Sequence, residues 1–143
     1  MSSTYALGSD TAELLRLQRQ HELWRPEMRA AWQQAGFGNG QRLLEVGCGP
    51  GFASLELAER VGPQGQVLAI DNAPAFLEYL QQQSSSAGLS QLRTLRHDLA
   101  TPLPPCTLEP GSWDGAWCRW VAMFVSRLEP LLDLLAEALR PGA

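Results

Sequence analysis

The sequence has few cysteines, little net charge and no long apolar run, and each shortage removes a class of protein. Its 143 residues include only three cysteines, Cys48, Cys106 and Cys118, without CxxC spacing. This odd number suits neither a disulfide framework nor a zinc site, so no metal site is predicted. The 11 Lys and Arg residues against 15 Asp and Glu give a net charge of −4. Such a chain lacks the positive charge that nucleic acid or an anionic membrane surface would require.

Membrane and export signals are also missing. The longest apolar stretch of note, residues 120–125, is far shorter than a membrane span. The first residues lack the basic end and the apolar block of a signal peptide. With 45% hydrophobic and 18% charged residues, the composition is that of an ordinary globular domain. We therefore expect one soluble domain that works in the cytoplasm.

The first 40 residues are predicted to form a helical cap. Apolar residues recur at spacings of three and four over residues 10–35, as they do on one face of an α-helix. Pro26 interrupts the pattern, and proline suits the first position of a helix better than its interior. We therefore predict two helices, about 10–24 and 26–35, before a glycine-rich break.

Apolar and helical segments alternate four times after residue 41. Strands are predicted at 42–46, 66–70, 92–96 and 113–118, and helices at 52–61, from Pro74 onward, and behind residue 126. Ser126 and Glu129 match an S-x-x-E capping box, and the proline-rich residues 100–112 are predicted to form a loop. Alternating strands and helices require crossover connections, so the predicted fold class is α/β, a doubly wound parallel sheet.

A glycine-rich turn follows the first predicted strand. Residues 45–51 read E-V-G-C-G-P-G, and Asp71 ends the second strand 20 residues after Gly51. In open α/β sheets, ligands bind at the carboxyl ends of the strands, where glycines let a ligand approach backbone N–H groups. A carboxylate at the second strand end can accept hydrogen bonds from a ribose diol. This pattern indicates a nucleoside ligand.

Phe52 and Glu45 help to distinguish a dinucleotide from other nucleoside ligands. A dinucleotide fingerprint reads G-x-G-x-x-G, whereas this turn reads G-x-G-x-G and continues with Phe52. Glu45, two residues before the first glycine, would repel a pyrophosphate and suits a ligand that is positively charged at that end. Both features argue against an NAD-dependent oxidoreductase, which is kept as a less favoured alternative.

Five segments in order resemble the class I S-adenosylmethionine-dependent methyltransferases, in particular a small-molecule branch. Residues 43–51 resemble the family's motif I, 67–71 the strand and acid that follow it, and 96–99 the third strand end. Residues 113–116 and 139–142 resemble the fourth strand and the turn before the fifth. The resemblance implies a Rossmann-like fold, S-adenosylmethionine as cofactor with S-adenosylhomocysteine as product, and methyl transfer to a small-molecule acceptor.

The resemblance also implies a set of cofactor-binding residues. The glycine turn would line the methionyl portion, Glu45 would hold its amino group, and Asp71 would bind the ribose hydroxyls. Residues after the second and third strands would contact the adenine, and Arg119 would lie near the transferable methyl group. Two residues of the helical cap would close over the cofactor. The full set is Tyr5, Gln18, Glu45, Gly47, Cys48, Gly49, Gly51, Asp71, Asn72, Ala73, Asp98, Leu99 and Arg119.

No residue is assigned as catalytic, because methyl transfer from a sulfonium needs orientation and exclusion of water more than it needs a base. His21 and Arg119 are the two candidates. His21 either faces the cleft or packs on its helix face, and packing is the commoner role. Arg119 is alternatively a salt-bridge partner of Asp98 or Glu129. Three aromatic residues are candidates for an acceptor pocket or for the core: Trp24, Trp32 and Trp120.

The number of motifs bears on the length of the chain. The family's sheet has seven strands in the order 3-2-1-4-5-7-6, and only four can be placed here. The fourth would be left as a bare apolar edge. We therefore expect residues 41–143 to be the cofactor-binding part of a domain truncated before strand 5, or a homodimer or partner chain to cover that edge. A non-catalytic methyltransferase-like module, which binds the cofactor or a partner chain, is the alternative function.

Overall fold

The computed structural model describes residues 11–143, in which helices and strands alternate as predicted. The helices are α1 (Thr11–Gln34), α2 (Phe52–Val61), α3 (Pro74–Ser86) and α4 (Glu129–Ala138). The strands are β1 (Arg42–Val46), β2 (Gln66–Asp71), β3 (Leu92–Arg96) and β4 (Gly115–Trp117). A 3-10 helix covers Ala122–Phe124. No helix within residues 11–143 has the length and apolarity needed to cross a membrane.

The four strands form one parallel sheet in the order β3-β2-β1-β4, which confirms the predicted fold class. Alternate residues of β1 point to opposite faces of the sheet. Leu43 packs with buried residues of α1, α2 and α3, whereas Leu44 and Val46 pack with α4. The sheet is therefore covered by helices on both faces, and Glu45 shares the face of Leu43.

The predicted division of the first helix is wrong, because α1 continues through Pro26. Side chains on both sides of the proline, His21 and Arg29, bind the carboxylate of Glu56 on α2. The second half of α1 is also anchored by Trp32, which is 1% exposed. A proline inside a helix costs about 3 kcal/mol, and contacts that span Pro26 offset that cost.

The fourth strand, β4, is shorter than the predicted strand at residues 113–118. Of the predicted strand 113–118, only Gly115–Trp117 pair with β1. Trp113 instead forms an isolated parallel bridge with Leu139. Two residues after the strand ends, Arg119 contacts Met28 and His21 of α1.

The predicted capping box is wrong as well. The residue before α4 is Leu128, and no side chain caps this helix end. Because the helix begins later than the S-x-x-E pattern requires, Ser126 is free to line a cavity at the edge of the sheet. Pro130 lies in the first turn of α4, as predicted.

Candidate functional site

A cavity of about 440 Å³ opens at the carboxyl ends of the strands. This is where open α/β sheets bind ligands, and the volume suits a small molecule. Its walls come from the segments after β2, β3 and β4, and from Gly47 in the turn after β1. The lining residues are Gly47, Asp71, Asn72, Ala73, Pro74, Arg96, His97, Asp98, Leu99, Ala100, Phe124, Val125 and Ser126.

Asp71 joins the glycine turn to this cavity. One carboxylate oxygen, Oδ2, accepts the backbone N–H of Gly49 at 2.8 Å, and Oδ1 accepts that of Ala73 at 2.9 Å. Each oxygen retains capacity for a further hydrogen bond. Burial raises the pKa of Asp71, although the backbone N–H groups oppose that rise. The acid therefore fixes the turn and can also accept hydrogen bonds from a diol.

The turn after β1 needs glycine for two different reasons. Gly47, Gly49 and Gly51 have φ values of 72°, 55° and 84°, a region that favours glycine. A Cβ on Gly47 would lie 2.2 Å from a methyl carbon of Val121, and one on Gly51 would lie 2.3 Å from Leu80. A Cβ on Gly49 would meet nothing within 4 Å. Gly47 and Gly51 are therefore required by packing, whereas Gly49 keeps one face open to a ligand.

The predicted adenine contacts all lie in the cavity wall. Asn72 and Ala73 follow β2, and Asp98 and Leu99 follow β3. The carboxylate of Asp98 accepts the N–H of Ala100 at 3.0 Å, which shapes this loop, and Leu99 supplies a buried apolar side chain. This wall offers both an acceptor and an apolar face to a flat heterocycle.

Glu45 does not line the cavity, but it lies close enough to Asp71 to feel its charge, in a buried polar cluster between β1 and α2. Its carboxylate accepts a hydrogen bond from the hydroxyl of Ser54. Burial raises the pKa of Glu45 to about 7, and the charge of Asp71 adds to that rise, while Ser54 and Arg119 oppose it. A cationic group brought to this cluster would favour the ionised carboxylate. Cys48 is also buried here, and burial raises the pKa of its thiol.

Arg119 connects the end of β4 to α1. Its Nη2 donates to Nδ1 of His21 at 3.2 Å, and its Nη1 donates to Sδ of Met28 at 3.7 Å. The guanidinium carbon lies 4.9 Å from the ring centre of Trp120. No ion pair joins Arg119 to Asp98 or Glu129 within residues 11–143, so the salt-bridge alternative is not observed there. Burial lowers the pKa of Arg119, and the charges of the nearby carboxylates oppose that shift.

His21 links Arg119 to α2. The ring is 3% exposed, and its Nε2 lies 2.8 Å from Oε1 of Glu56. Two further donors of α1, Arg25 and Arg29, bind the same carboxylate at 2.7 and 2.8 Å. Burial lowers the pKa of His21 despite the hydrogen bond to Glu56. Burial would raise the pKa of Glu56, but its hydrogen bonds outweigh that effect and lower it.

Some predicted residues lie away from the cavity. Gln18 is exposed and donates to Glu22 on its own helix at 3.2 Å, so its role as a lid stays a prediction. Tyr5 lies outside the described residues 11–143. Trp32 packs edge-on against Trp117 in the core, with ring centres 5.7 Å apart, and is not available to an acceptor pocket.

Two polar residues of α2 that contribute to the site are not among the residues predicted from the sequence. Ser54 binds Glu45, and Glu56 holds three donors of α1. A signal for Glu56 was present in the sequence: His21, Arg25 and Arg29 recur every four residues and form a basic stripe on α1. Such a stripe, once buried against another helix, calls for an acidic partner.

The chain matches a family model described as a methyltransferase domain over residues 43–142. It is 29% identical over 123 residues to a demethylmenaquinone methyltransferase of Symbiobacterium thermophilum, covering 86% of this chain and 47% of that protein. It is 32% identical over 120 residues to the nocamycin O-methyltransferase of Saccharothrix syringae, covering 84% of this chain and 41% of that protein. The chain thus spans less than half the length of these two relatives.

The fold is also found among solved structures. The crystal structure of a SAM-dependent methyltransferase from Aquifex aeolicus superposes with a TM-score of 0.77 and 25% sequence identity. The superposition covers 92% of this chain and 68% of that one. The Rossmann-like arrangement expected from the motifs is therefore confirmed.

Proposed function

This chain belongs to the methyltransferase domain family, and we propose that it binds S-adenosylmethionine and transfers its methyl group to a small-molecule acceptor. The observation that carries the proposal is the buried carboxylate of Asp71. It holds the glycine turn through Gly49 and lines a cavity at the strand ends. One group therefore couples the two features that a nucleoside site requires.

The bound cofactor spans two parts of the site, one for the nucleoside and one for the methionyl portion. The nucleoside fits the cavity, with the ribose hydroxyls on Asp71 and the adenine between the loops that carry Asn72 and Asp98. The methionyl portion then lies along the open face of Gly49, towards Glu45. S-adenosylmethionine supplies a methyl group that is already activated on a sulfonium. The residues of this chain orient it and exclude water.

We do not assign His21 the role of a general base. Its Nδ1 accepts from Arg119 and its Nε2 faces Glu56, so neither ring nitrogen is free to take a proton from an acceptor. Arg119, which the resemblance places near the transferable methyl group, is proposed here to bind the anionic end of the methionyl portion. Proton transfer is left to the acceptor itself or to solvent.

The acceptor is proposed to be a small molecule, as the names of the two relatives suggest for those proteins. Trp24 and Trp120 form a partly exposed edge-on pair, with ring centres 5.6 Å apart, next to the guanidinium of Arg119. Aromatic faces of this kind suit a planar acceptor. We propose this pair as the acceptor side of the site.

We further propose that residues 1–40 act as a helical cap and residues 41–143 as the cofactor-binding part of the domain. Exposed thiols at Cys106 and Cys118 favour a reducing compartment, which supports a cytoplasmic location for the protein. A second copy or a partner chain over the edge of β4 stays a prediction. A module that binds the cofactor without catalysis stays the alternative to a complete enzyme.

Calorimetric titration with S-adenosylhomocysteine, S-adenosylmethionine and NAD tests the proposal. Both sulfur nucleosides should bind, and Asp71→Ala should weaken them at least about 100-fold, because two hydrogen bonds to a charged acceptor are lost. Asp71→Asn keeps the side-chain shape and should show a smaller loss. Asp133→Ala, which removes an exposed carboxylate on α4, is the matched control. Binding of NAD alone would overturn the proposal.

A further inference from the structure

We propose that His21, as the neutral tautomer protonated at Nε2, is a positioning residue that holds Arg119 towards the methionyl end of the cofactor site. The inference rests on the proposed function, because it assigns a role within that site. It rests on geometry in which His21 stands between two charged groups from different elements. Glu56 approaches it from α2, and Arg119 approaches it from the segment after β4.

The tautomer follows from the two partners of the ring. A guanidinium has only hydrogen-bond donors, so Nδ1 of His21 must be the unprotonated acceptor of the bond from Arg119. The proton of the neutral ring is then on Nε2, which donates to Oε1 of Glu56. A doubly protonated ring would turn a donor towards the guanidinium and lose this acceptor. Only the neutral ring satisfies both partners.

The position of His21 is itself fixed by Glu56. Arg25 and Arg29 bind the same carboxylate, one on each oxygen, so it cannot rotate without breaking an ion pair. The ring of Phe52 packs against His21 with centres 5.9 Å apart. The charged groups around His21 are therefore Glu56 from α2, Arg25 from its own helix and Arg119. Glu56 fixes the position of the His21 ring, and the ring fixes the position of the Arg119 guanidinium.

The positive charge of Arg119 is not neutralised by an ion pair within residues 11–143, so it can attract an anionic group of a ligand. The guanidinium is half-buried, yet its hydrogen-bond partners within residues 11–143 are neutral, the sulfur of Met28 and the nitrogen of His21. Charged groups removed from water are normally paired. Arg119 is close enough to Glu45 for its charge to lower the pKa of that carboxyl. A ligand with both an amino and a carboxylate group, as in the methionyl portion, matches this acid and base together.

The backbone next to Arg119 is bent to reach this position. Trp120 has a φ of 55°, which is rare for a bulky residue. Unfavourable backbone conformations persist where the surrounding structure requires them, and they concentrate at functional sites. The bend lies directly after Arg119, whose guanidinium contacts α1.

Two substitutions separate the positioning role from a purely structural one. In His21→Asn the amide oxygen can take the place of Nδ1 and accept from Arg119. In His21→Gln the amide nitrogen can take the place of Nε2 and donate to Glu56, but the acceptor for Arg119 is lost. Each variant, with Arg119→Met and wild type, is titrated with S-adenosylhomocysteine and with 5′-methylthioadenosine, which lacks the amino-acid portion. The melting temperature of each ligand-free protein is recorded.

Arg119→Met is expected to weaken S-adenosylhomocysteine about tenfold or more and to leave 5′-methylthioadenosine unchanged. His21→Gln should reproduce most of that selective loss, whereas His21→Asn should keep the affinity and lose thermal stability. Wild-type affinity in His21→Gln, or equal losses for both nucleosides, would overturn the inference. No binding of either nucleoside to wild type would overturn the proposed function and the inference with it.

A measurement on wild type covers the case in which the His21 variants do not fold. The affinity ratio of S-adenosylhomocysteine to 5′-methylthioadenosine is followed from pH 8 to pH 5. Because protonation of His21 removes the acceptor of Arg119, the ratio should fall further in wild type than in Arg119→Met at the acid end. Because Arg119 also lowers the pKa of Glu45, the comparison is repeated with both proteins carrying Glu45→Gln, which removes this titration. Parallel pH profiles in the two proteins would overturn the inference.

Discussion

The two ends of the candidate site are built in different ways. The nucleoside end, which comprises the cavity and Asp71, is made mainly from short turns that follow β1, β2 and β3, together with residues 124–126 after β4. The methionyl end, which comprises Glu45, Ser54, Arg119, His21 and Glu56, is made from side chains of β1, α1, α2 and the segment after β4. One end depends on local turns at the strand ends, and the other depends on contacts between distant segments.

The difference has a functional consequence. At the nucleoside end, ligand contacts come from positions that any parallel sheet places together. At the methionyl end, four titratable groups lie in contact or close enough to change one another's pKa. We therefore expect substitutions at the nucleoside end to act through backbone fit, and those at the methionyl end to act through charge and pH.

The largest expected effect comes from the glycine turn. Gly47→Ala places a Cβ 2.2 Å from Val121 at a φ of 72° and should lower the free energy of unfolding by about 2–4 kcal/mol. Gly49→Ala meets no neighbour and should cost only about 1 kcal/mol, yet weaken S-adenosylhomocysteine strongly. Urea unfolding and calorimetry measure both effects. Equal stability losses in the two variants would contradict this division of roles.

Glu56→Gln tests the support of the methionyl end. It removes the anion that holds His21, Arg25 and Arg29. Because both arginines are partly exposed and screened by solvent, the loss of unfolding free energy should be about 1–2 kcal/mol. Glu59→Gln, an exposed carboxylate on the same helix, is the control and should change stability by less than about 0.5 kcal/mol. A Glu56→Gln protein as stable as this control would show that the cluster contributes nothing.

Glu45 should make both stability and binding depend on pH. Its folded pKa of about 7 lies above the ordinary value of 4.5, so the folded state holds the proton more tightly. The ligand-free protein should therefore lose stability from this group as pH rises from about 4.5 to about 7. Thermal unfolding of wild type and Glu45→Gln over this range measures the effect, which the variant should lack.

Binding should show the opposite dependence on pH. A cationic amino group favours ionised Glu45, so S-adenosylhomocysteine affinity should fall below pH 7, by up to about tenfold per unit. Calorimetry on wild type and Glu45→Gln measures this. A pH profile in the variant that matches wild type would place the amino group elsewhere.

The smallest effect is expected from His97, at the nucleoside end. This residue lines the cavity, and within residues 11–143 its ring is hydrogen-bonded to the carbonyl of Thr101, at 3.1 Å. His97→Ala should change S-adenosylhomocysteine affinity by less than about threefold, because one exposed hydrogen bond to a backbone carbonyl contributes little. A larger loss, measured by the same titration, would mean that side chains rather than turns define this end.

The sequence was informative where the site is local. Asp71 and the glycine turn were predicted from the ends of short apolar segments, because parallel strands bring their carboxyl ends to one edge. Asp98 was implied by the resemblance to the methyltransferases. The strand bounds of β1 and β3 agree with the prediction. The apolar run of β1 is typical of a strand that is buried on both faces, whereas β3 is partly exposed.

The remainder depended on tertiary contacts. His21 and Glu56 are 35 positions apart, and His21 and Arg119 are 98 positions apart, so no local pattern pairs them. The same contacts explain why α1 continues through Pro26, where helix rules alone predicted a break. The position of Ser126 likewise depended on where α4 begins.

One measurement tests most directly whether the two ends act separately. The affinities of S-adenosylhomocysteine and 5′-methylthioadenosine are determined for wild type, Asp71→Asn, Arg119→Met and the double variant. We predict that Asp71→Asn weakens both ligands, that Arg119→Met weakens only S-adenosylhomocysteine, and that the two effects add in the double variant. Loss of both ligands in Arg119→Met, or unchanged affinities in Asp71→Asn, would contradict a site with a nucleoside end centred on Asp71 and a methionyl end held by His21 and Arg119.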